Sequence, residues 1–305
     1  MKTYTEAELA DAVIARMEKM KDPRFKQILT GLVKHLHAFA REVELTEQEW
    51  FEGIKFLTAV GQKCDDKRQE FILLSDILGL SSLVDMINHR LPSGATASTV
   101  LGPFFVHGAP EFPYGGDLTK EAKLKGEDTW VSGRVLSVDG KPVPNATIDV
   151  WQARANGVYD IQDPSSGFEL RGRTRSDAEG RYAFHTFKPQ FYGVPTDGPV
   201  GRILDQMGRH AMRPAHMHFI VDAPGYQQVV SHVFVKGDPY IDSDTVFAVK
   251  DSLIAEFRKV DAPDEAKRLG LPNPFLRLDW DFRLAPAGAG RTRQAIAASD
   301  AVKAA

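Results

Sequence analysis

The spacing of hydrophobic residues predicts helices in the first third of the chain. Between residues 5 and 90, apolar side chains recur every three or four positions, the spacing of one face of an α-helix. The two clearest stripes are Phe25, Ile28, Leu29, Leu32, Leu36 and Phe39, and Trp50, Ile54, Leu57 and Val60. The segments TEAE at 5–8 and TEQE at 46–49 match the capping box that begins a helix. We expect both stripes to pack against another surface, because apolar surface is unfavourable in water.

From about residue 128 the pattern changes to the alternation that is typical of strands. Short alternating runs are joined by turn residues at Asp139-Gly140, at 177–180 and at Pro224-Gly225. A further alternating run, FLRLDWDFRL, occupies residues 275–284. Short strands at regular intervals favour a β-sandwich. The predicted fold class is therefore α+β, with an N-terminal helical segment followed by a mainly antiparallel β-sandwich.

These patterns divide the chain into four predicted regions. Residues 1–92 form a helical N-terminal domain, and residues 93–127, rich in Gly, Pro and Ser in their first part, form an extended linker that also walls a site. Residues 128–287 form the β-sandwich that carries the chemistry. Residues 288–305 are expected to be a loosely held tail.

Composition restricts the possible partners and the cellular compartment. The chain has 305 residues, 43% of them hydrophobic and 26% charged, with a net charge of −3. Such a chain is globular and shows no basic excess for nucleic acid or a membrane surface, so a small molecule is the expected partner. Cys64 is its one cysteine, which excludes an internal disulfide. With no signal-peptide-like or membrane-spanning apolar run, we expect a cytoplasmic protein.

Two histidines in the segment RPAHMHF at 213–219 indicate a candidate metal site. On a strand, His216 and His218 point to the same side, so both imidazoles can reach one ion. Asp222 shares that side, and with it as third ligand the set would favour Fe(II). Tyr159 and Tyr192, in turn-rich loops, offer a different set of donors. Spacing alone leaves hydrogen-bonded histidines as open as metal ligands, and a packed tyrosine with its hydroxyl on a backbone carbonyl is the commoner case.

Five motifs in order give the chain a specific resemblance. They are VWQARANGVYD at 150–160, RTRSDAEGRYAF at 173–184, FYGVPTDGPVG at 191–201, GRHAMRPAHMHFIVDAPGY at 208–226 and HVFVKGD at 232–238. Together with the helical segment and TVLGPFF at 99–105, they resemble the intradiol ring-cleavage dioxygenases, the group of catechol and hydroxyquinol 1,2-dioxygenases. The resemblance covers about residues 20–285.

The resemblance implies a non-haem ferric ion, Fe(3+), bound by two tyrosinates and two histidines. By motif position its ligands are Tyr159, Tyr192, His216 and His218. Phenolate is a hard anionic donor that suits Fe(III), and a bound cation lowers the pKa of a phenol. The implied reaction opens the ring of a catecholic substrate between its two hydroxyl-bearing carbons and incorporates both atoms of O2. Tyr192 is the ligand that the substrate displaces, and Tyr159 stays.

Two further residues take catalytic positions by resemblance. Arg213 occupies the place of a fixed cation that stabilises charge on the ring, although a structural salt bridge, for instance to Asp205, is an alternative. His232 stands where relatives usually carry glutamine, which leaves a hydrogen-bonding role open.

The expected substrate is hydroxyquinol, benzene-1,2,4-triol. Leu73 and Asp76 in LLSD resemble hydroxyquinol-cleaving members, and a carboxylate beside an apolar ring needs a donor such as a third hydroxyl. The product would be 3-hydroxy-cis,cis-muconate, which tautomerises to maleylacetate. Catechol, giving cis,cis-muconate, is the alternative, in which Asp76 caps or pairs within its own helices. The rest of the pocket is assigned to Val100, Pro103, Phe104, Val194, Pro195 and Val246.

The resemblance also implies an assembly. Relatives dimerise through their N-terminal helices and trap phospholipid there, and the apolar stripes are compatible with a homodimer of this kind. An alternative of a different class is a transthyretin-like binding module that has lost its iron. The presence of all four donors argues against it.

Overall fold

The predicted helices of the N-terminal segment are present in the computed structural model, which describes residues 3–65, 68–163 and 165–289. They are α1 (Glu6–Ala15), α2 (Pro23–Glu42), α3 (Glu47–Gln62), α4 (Glu70–Ile77) and α5 (Leu80–Asn88). Both capping boxes are confirmed: Thr5 Oγ1 accepts from the backbone N–H of Glu8 at 3.3 Å, and Thr46 Oγ1 accepts from that of Glu49 at 3.2 Å. Two later helices are α6 (Pro199–Gln206) and α7 (Pro263–Leu269).

The chain divides into two compact units after Ala59. The first unit contains α1, α2 and most of α3. Its predicted apolar stripe along α2 is largely exposed, with Phe25 at 50% and Leu36 at 55% accessibility. Trp50, Ile54 and Leu57 of α3 are exposed as well. Within the described part of the chain, these side chains of α2 and α3 are therefore left largely uncovered.

The second unit contains the strands. They are β1 (Gly116–Asp117), β2 (Asp128–Ser137), β3 (Thr147–Gln152), β4 (Arg171–Arg175), β5 (Arg181–Phe187), β6 (Tyr192–Gly193), β7 (Met212–Arg213), β8 (His216–Asp222), β9 (Val229–Val235), β10 (Ile254–Ala255), β11 (Arg258–Val260), β12 (Phe275–Asp279) and β13 (Phe282–Leu284). One sheet has the order β1-β5-β2-β12-β11, with β13 also on β2, and the other has the order β10-β9-β8-β3-β4. Strands β6 and β7 form a separate two-stranded sheet.

The two large sheets enclose one hydrophobic core, which confirms the sandwich and the α+β class. Val131 and Phe184 from the first sheet and Ile148, Phe219 and Val233 from the second are all fully buried in it. The β2–β5, β3–β4, β3–β8 and β8–β9 pairs are antiparallel as predicted. Four pairs, β1–β5, β9–β10, β2–β12 and β2–β13, are parallel. The sheets are therefore mixed.

The predicted turns form, but two of them do not join paired strands. At Asp139-Gly140 the N–H of Gly140 donates to the carbonyl of Ser137 at 2.9 Å, yet β2 and β3 then enter different sheets. The same is true of β4 and β5 around the turn at 177–180. In contrast, β8 and β9 form the expected hairpin across Pro224-Gly225. Alternation predicts strands and turns, whereas the choice of partner depends on which sheet buries each apolar face.

Residues 93–127 are mostly irregular, apart from β1, and run along the sandwich. The N–H of Thr99 donates to the carbonyl of Val230 at 2.9 Å, and that of Phe112 donates to the carbonyl of Arg173 at 2.8 Å. Residues 290–305 of the predicted tail lie outside the described residues. Among the residues described, we find no helix with the length and hydrophobicity needed to cross a membrane.

Candidate metal centre

The four predicted donors converge in the second unit, beside strand β8. Tyr159 follows β3, Tyr192 lies on β6, and His216 and His218 lie on β8. The hydroxyl of Tyr159 is 2.9 Å from Nε2 of His218, and the Nε2 atoms of His216 and His218 are 3.1 Å apart. The rings of Tyr159 and Tyr192 meet edge to face with centroids 5.3 Å apart. Two strands and one loop thus bring two phenols and two imidazoles together, and all four are buried.

A buried ion pair fixes the loop that carries Tyr159. Arg171 on β4 binds the carboxylate of Asp160, with Nε of Arg171 and Oδ2 of Asp160 2.6 Å apart. The same guanidinium donates to the carbonyl of Phe104 at 3.0 Å. The ring of Phe104 stacks on Tyr159 with centroids 4.3 Å apart. Arg171 therefore fixes both the backbone next to Tyr159, through Asp160, and the ring that stacks on it, through Phe104.

Hydrogen bonds on the far side of each imidazole define which nitrogen faces the phenols. Nδ1 of His216 is 2.7 Å from the carbonyl oxygen of Pro214. A carbonyl only accepts, so this nitrogen carries the proton and Nε2 presents its lone pair. Nδ1 of His218 lies 2.8 Å from Nε2 of His232, and Trp151 stacks on the His218 ring at 4.6 Å. With His232 as the acceptor, His218 also turns the lone pair of Nε2 toward the phenols.

Burial sets the charge of these donors. It lowers the pKa of His216 to about 3, with the positive charge of Arg213 adding to the effect, and it lowers the pKa of His218 well below its ordinary value. Both imidazoles are therefore neutral at physiological pH. Burial, followed by the neighbouring Tyr192, raises the pKa of Tyr159 well above its ordinary value. Without a cation Tyr159 keeps its proton, and only a strong positive charge among these oxygens would remove it.

The donor set fits a ferric ion. Because Nδ1 of His216 donates to a carbonyl, the lone pair of its Nε2 faces Nε2 of His218 across 3.1 Å, and the Tyr159 hydroxyl lies 2.9 Å from that same His218 nitrogen. A cation bound by both nitrogens accounts for this approach, and two phenol oxygens nearby supply hard anionic ligands suited to Fe(III). Among the described residues, His216, His218 and His232 also form a cluster that could hold a metal. His232 contacts the Nδ1 edge of His218, opposite the edge that faces Tyr159, which is the position of a supporting residue.

Asp222 is not a ligand of this centre. It lies exposed at the other end of β8, opposite Thr147. It lies four positions along the strand from His218, a span of about 13 Å. The alternative of an Fe(II) site with two histidines and Asp222 is therefore wrong.

Arg213 is buried beside two of the donors. Its Nη1 is 3.2 Å from the hydroxyl of Tyr192 and 3.3 Å from Nε2 of His216. Its ion-pair partner is Asp244, at 3.1 Å from Nε to Oδ1, and not Asp205, which is exposed on α6. Asp244 is a residue that the sequence did not indicate, since it lies 31 positions beyond Arg213 in a loop without a recognised motif.

The predicted pocket residues lie on several separate elements. Leu73 and Asp76 are on α4, and the others lie in irregular segments: Val100, Pro103 and Phe104 after α5, Val194 and Pro195 after β6, and Val246 after β9. Of these, Phe104 contacts the donors directly through Tyr159. The carbonyl of Val246 accepts from Ser82 of α5 at 3.0 Å, which fixes this part of the wall.

Asp76 is a buried carboxyl, 8% exposed, and burial raises its pKa to about 6. A hydrogen bond from Ser81 and the charge of Arg213 lower that pKa, and the charge of Asp244 raises it. Asp76 therefore has a partner within its own helices, as the alternative interpretation expected. It also lies within the electrostatic influence of Arg213 and Asp244.

Comparison with known proteins indicates the family of the chain. The chain matches the dioxygenase family over residues 100–286 and the catechol dioxygenase N terminus over residues 22–96. It is 51% identical over 285 residues to a hydroxyquinol 1,2-dioxygenase of Rhizobium sp. (strain MTP-10005), covering 92% of this chain and 96% of the relative. It is 50% identical over 290 residues to the 6-chlorohydroxyquinol 1,2-dioxygenase of Cupriavidus pinatubonensis, covering 94% and 99% of the two chains.

A solved structure shows the same fold. The hydroxyquinol 1,2-dioxygenase of Pseudomonas putida DLL-E4 superposes with a TM-score of 0.86 at 52% identity, covering 92% of this chain and 98% of that one. The chain belongs to the intradiol ring-cleavage dioxygenase family. The resemblance found in the motifs is confirmed, and the protein is an enzyme of this class, not a transthyretin-like binding module.

Proposed function

We propose that the enzyme uses a ferric ion held by Tyr159, Tyr192, His216 and His218 to cleave hydroxyquinol between its two adjacent hydroxyl-bearing carbons. The observation that carries this proposal is the convergence of two phenols and two neutral imidazoles around one point. The chemistry that the ion supplies when bound is coordination of the diol through both oxygens and activation of its ring toward O2. The product would be 3-hydroxy-cis,cis-muconate, in tautomeric equilibrium with maleylacetate.

Tyr192 is the donor suited to release when the diol binds. It lies on a two-residue strand, its ring is 8% exposed, and its hydroxyl accepts from Arg213 at 3.2 Å. Tyr159 is fully buried and packed under Phe104. A released Tyr192 oxygen can take one proton from the diol while Arg213 stays hydrogen-bonded to it. Tyr159 then remains in place and keeps the site assembled.

Arg213 stabilises negative charge as the ring oxygens lose their protons. A guanidinium is always charged, and inside a buried site its field is weakly screened. Arg213 lies within hydrogen-bond distance of the Tyr192 oxygen, where the diol would enter. In this proposal it acts on the reacting oxygens directly.

His232 is proposed to support His218 and not to bind the ion. By accepting from Nδ1 of His218 at 2.8 Å, it holds the Nε2 lone pair of His218 in place. A glutamine side-chain oxygen can accept in the same way, and a phenylalanine cannot. His232→Gln should therefore retain iron against a chelator, whereas His232→Phe should lose it faster, as measured by metal analysis over time. Equal loss from both variants would contradict this role.

The choice of hydroxyquinol rests on Asp76. A buried carboxylate that faces a bound catechol has no new partner, whereas a third hydroxyl donates a hydrogen bond to it. An unsatisfied buried acceptor costs about 1–3 kcal/mol, which corresponds to roughly one to two decades in kcat/KM. The names of the two relatives described above, hydroxyquinol and 6-chlorohydroxyquinol 1,2-dioxygenase, support the same substrate class.

Oxygen-uptake kinetics with hydroxyquinol and catechol test the substrate. The wild type should prefer the triol, and Asp76→Ala should reduce that preference mainly by slowing the triol, with iron content unchanged. Asp205→Ala, at an exposed carboxylate on α6, is the matched control and should behave as the wild type. A wild type that cleaves catechol faster would instead favour a catechol 1,2-dioxygenase producing cis,cis-muconate.

We further propose that the enzyme is a homodimer formed through its N-terminal helices, with phospholipid in the apolar interface. The support is the exposed apolar stripe of α2 and the exposed apolar residues of α3, which a second copy or an acyl chain would cover.

A further inference from the structure

We propose that Asp244 is a positioning residue of the ring-cleavage reaction, which holds Arg213 against the Tyr192 oxygen and fixes the pocket wall at Val246. This inference rests on the proposed function, because it assigns Arg213 to the reacting oxygens. Asp244 lies in the loop after β9, outside the five motifs that carry the resemblance.

The carboxylate of Asp244 determines the orientation of the guanidinium. Oδ1 accepts from Nε of Arg213 at 3.1 Å, and Oδ2 is 3.4 Å from Nη2. A planar guanidinium held along one edge has little freedom to rotate. The remaining nitrogen, Nη1, is thereby directed at the hydroxyl of Tyr192 and at Nε2 of His216. Both side chains of the pair are almost fully buried, so water does not readily replace either partner.

The same carboxylate organises the loop that contains Val246. Oδ1 accepts from the N–H of Val246 at 3.3 Å, and Oδ2 accepts from the N–H of Ala248 at 3.0 Å. Between them, Phe247 has a φ of 56°, a left-handed conformation that is uncommon for a bulky residue. These two hydrogen bonds hold the turn in that conformation. One side chain therefore fixes both the catalytic cation and a wall of the substrate pocket.

The pair remains ionised despite its burial. Burial opposes the charge of Asp244, but the adjacent guanidinium of Arg213 outweighs it and holds the pKa of this carboxyl below its ordinary value. An asparagine at this position would keep the shape of the side chain and remove the charge. Asparagine would also have one acceptor oxygen, whereas the carboxylate presents two oxygens to four N–H donors.

The test is a double-mutant cycle in the iron-loaded enzyme, using whichever of hydroxyquinol or catechol the wild type cleaves faster. Asp244→Asn should lower kcat by about 10- to 100-fold with unchanged iron content, and KM should rise because the Val246 wall is released. Arg213→Ala should lower kcat on the order of 100-fold. Adding Asp244→Asn to Arg213→Ala should cost less than about threefold more in kcat, because residues that act as one unit are not additive.

A spectroscopic measurement separates positioning from general stabilisation. Displacement of Arg213 from the Tyr192 oxygen should shift the visible tyrosinate-to-iron absorption band in Asp244→Asn. Asp149→Asn is the matched control, since it also breaks a carboxylate–arginine pair, with Arg173 at 2.9 Å, and this pair joins β3 to β4 without a bond to any of the four donors. It should leave the band and kcat unchanged. If Asp244→Asn fails to fold, Asp244→Glu keeps the charge and should still lower kcat and shift the band.

Full kcat in folded, iron-loaded Asp244→Asn would overturn the proposal, and so would losses that multiply in the double variant. Failure of the proposed function gives a different result, since the wild type would then cleave neither diol.

Discussion

The two tyrosines of the centre differ in how firmly the fold holds them, and this difference can be measured. Tyr159 is fully buried beneath Phe104, whereas Tyr192, which keeps 8% of its surface accessible, lies on a two-residue strand. Loss of a donor weakens iron binding most where the remaining donors cannot adjust. We therefore expect Tyr192→Phe to retain more iron than Tyr159→Phe, as determined by metal analysis and visible absorption. Equal iron contents in the two variants would contradict the assigned difference.

The raised pKa of Asp76 makes a second prediction at this scale. A carboxyl whose folded pKa is about 6, against 3.8 for the ordinary group, favours folding when protonated. Its contribution is fully present below pH 3.8 and is lost as the pH rises through about 6. Asp76→Asn removes this loss, so the melting temperature of the variant relative to the wild type should increase between pH 4 and pH 7. A difference that does not change with pH would show that the carboxyl is not buried as described.

Individual residues differ in how far the sequence alone could identify them. The two-residue period of a strand predicts that His216 and His218 share a face, and β8 confirms it. Tyr159 and Tyr192 could be named as possible donors, but only the family motifs assigned them as ligands, because a tyrosine in a loop has no periodic signal. Asp205 was the wrong partner for Arg213, since proximity in sequence does not determine which carboxylate the fold brings close. The pairing of Asp244 with Arg213 could not be predicted, because only the structure shows that the loop after β9 lies beside β7.

At the scale of elements, Arg209 connects α4 with the loop that carries Val246, both of which belong to the proposed pocket. Its guanidinium donates to the carbonyl of Ile77 at the end of α4 at 2.6 Å and to the carbonyl of Thr245 at 2.7 Å. It also lies over the ring of Phe247, 4.7 Å from the centroid. Ile77 follows Asp76 and Thr245 precedes Val246, so this side chain sets the spacing between the carboxylate and the opposite wall.

Replacing Arg209 should therefore affect selectivity more than metal binding. Arg209→Met keeps much of the side-chain length but removes both hydrogen bonds, each worth about 0.5–1.5 kcal/mol. We expect the ratio of kcat/KM for hydroxyquinol to that for catechol to fall about three- to tenfold, with iron content unchanged. Arg202→Met, at an exposed arginine of α6, is the control. An unchanged ratio in Arg209→Met would mean that α4 and the loop keep their spacing without this link.

Elements were predicted better than their pairing. Capping boxes and apolar periodicity predicted where α1 and α3 begin, and alternation predicted most of the strands. The assignment of β2 and β3 to opposite sheets could not be predicted locally, because the same alternating pattern suits either sheet of a sandwich. Parallel pairing of β12 and β13 with β2 likewise depends on the path of the chain around the core.

At the scale of the whole molecule, the two compact units have different surfaces. The second unit buries its apolar residues between two sheets. The first leaves Phe25, Ile28, Leu32, Leu36 and Phe39 exposed along one face of α2. An apolar stripe of this extent on an otherwise polar helix is characteristic of an interface. The sequence predicted the spacing of this stripe, whereas only the structure shows that its side chains are exposed.

Introducing a charge into this stripe should convert a dimer into monomers without affecting the metal centre. A buried leucine contributes about 1.5–3 kcal/mol, and a carboxylate in its place would have to be desolvated. Leu32 and Leu36 are one turn apart, so Leu32→Glu with Leu36→Glu places two charges in the same contact. Lys34→Glu introduces a carboxylate on the opposite side of α2 and is the control.

Analytical ultracentrifugation should show the wild type and the control at twice the mass of the double variant. All four proposed donors lie within one chain, between Tyr159 and His218, so the iron content of the monomer should equal that of the dimer. A monomeric wild type at micromolar concentration would contradict the proposed assembly.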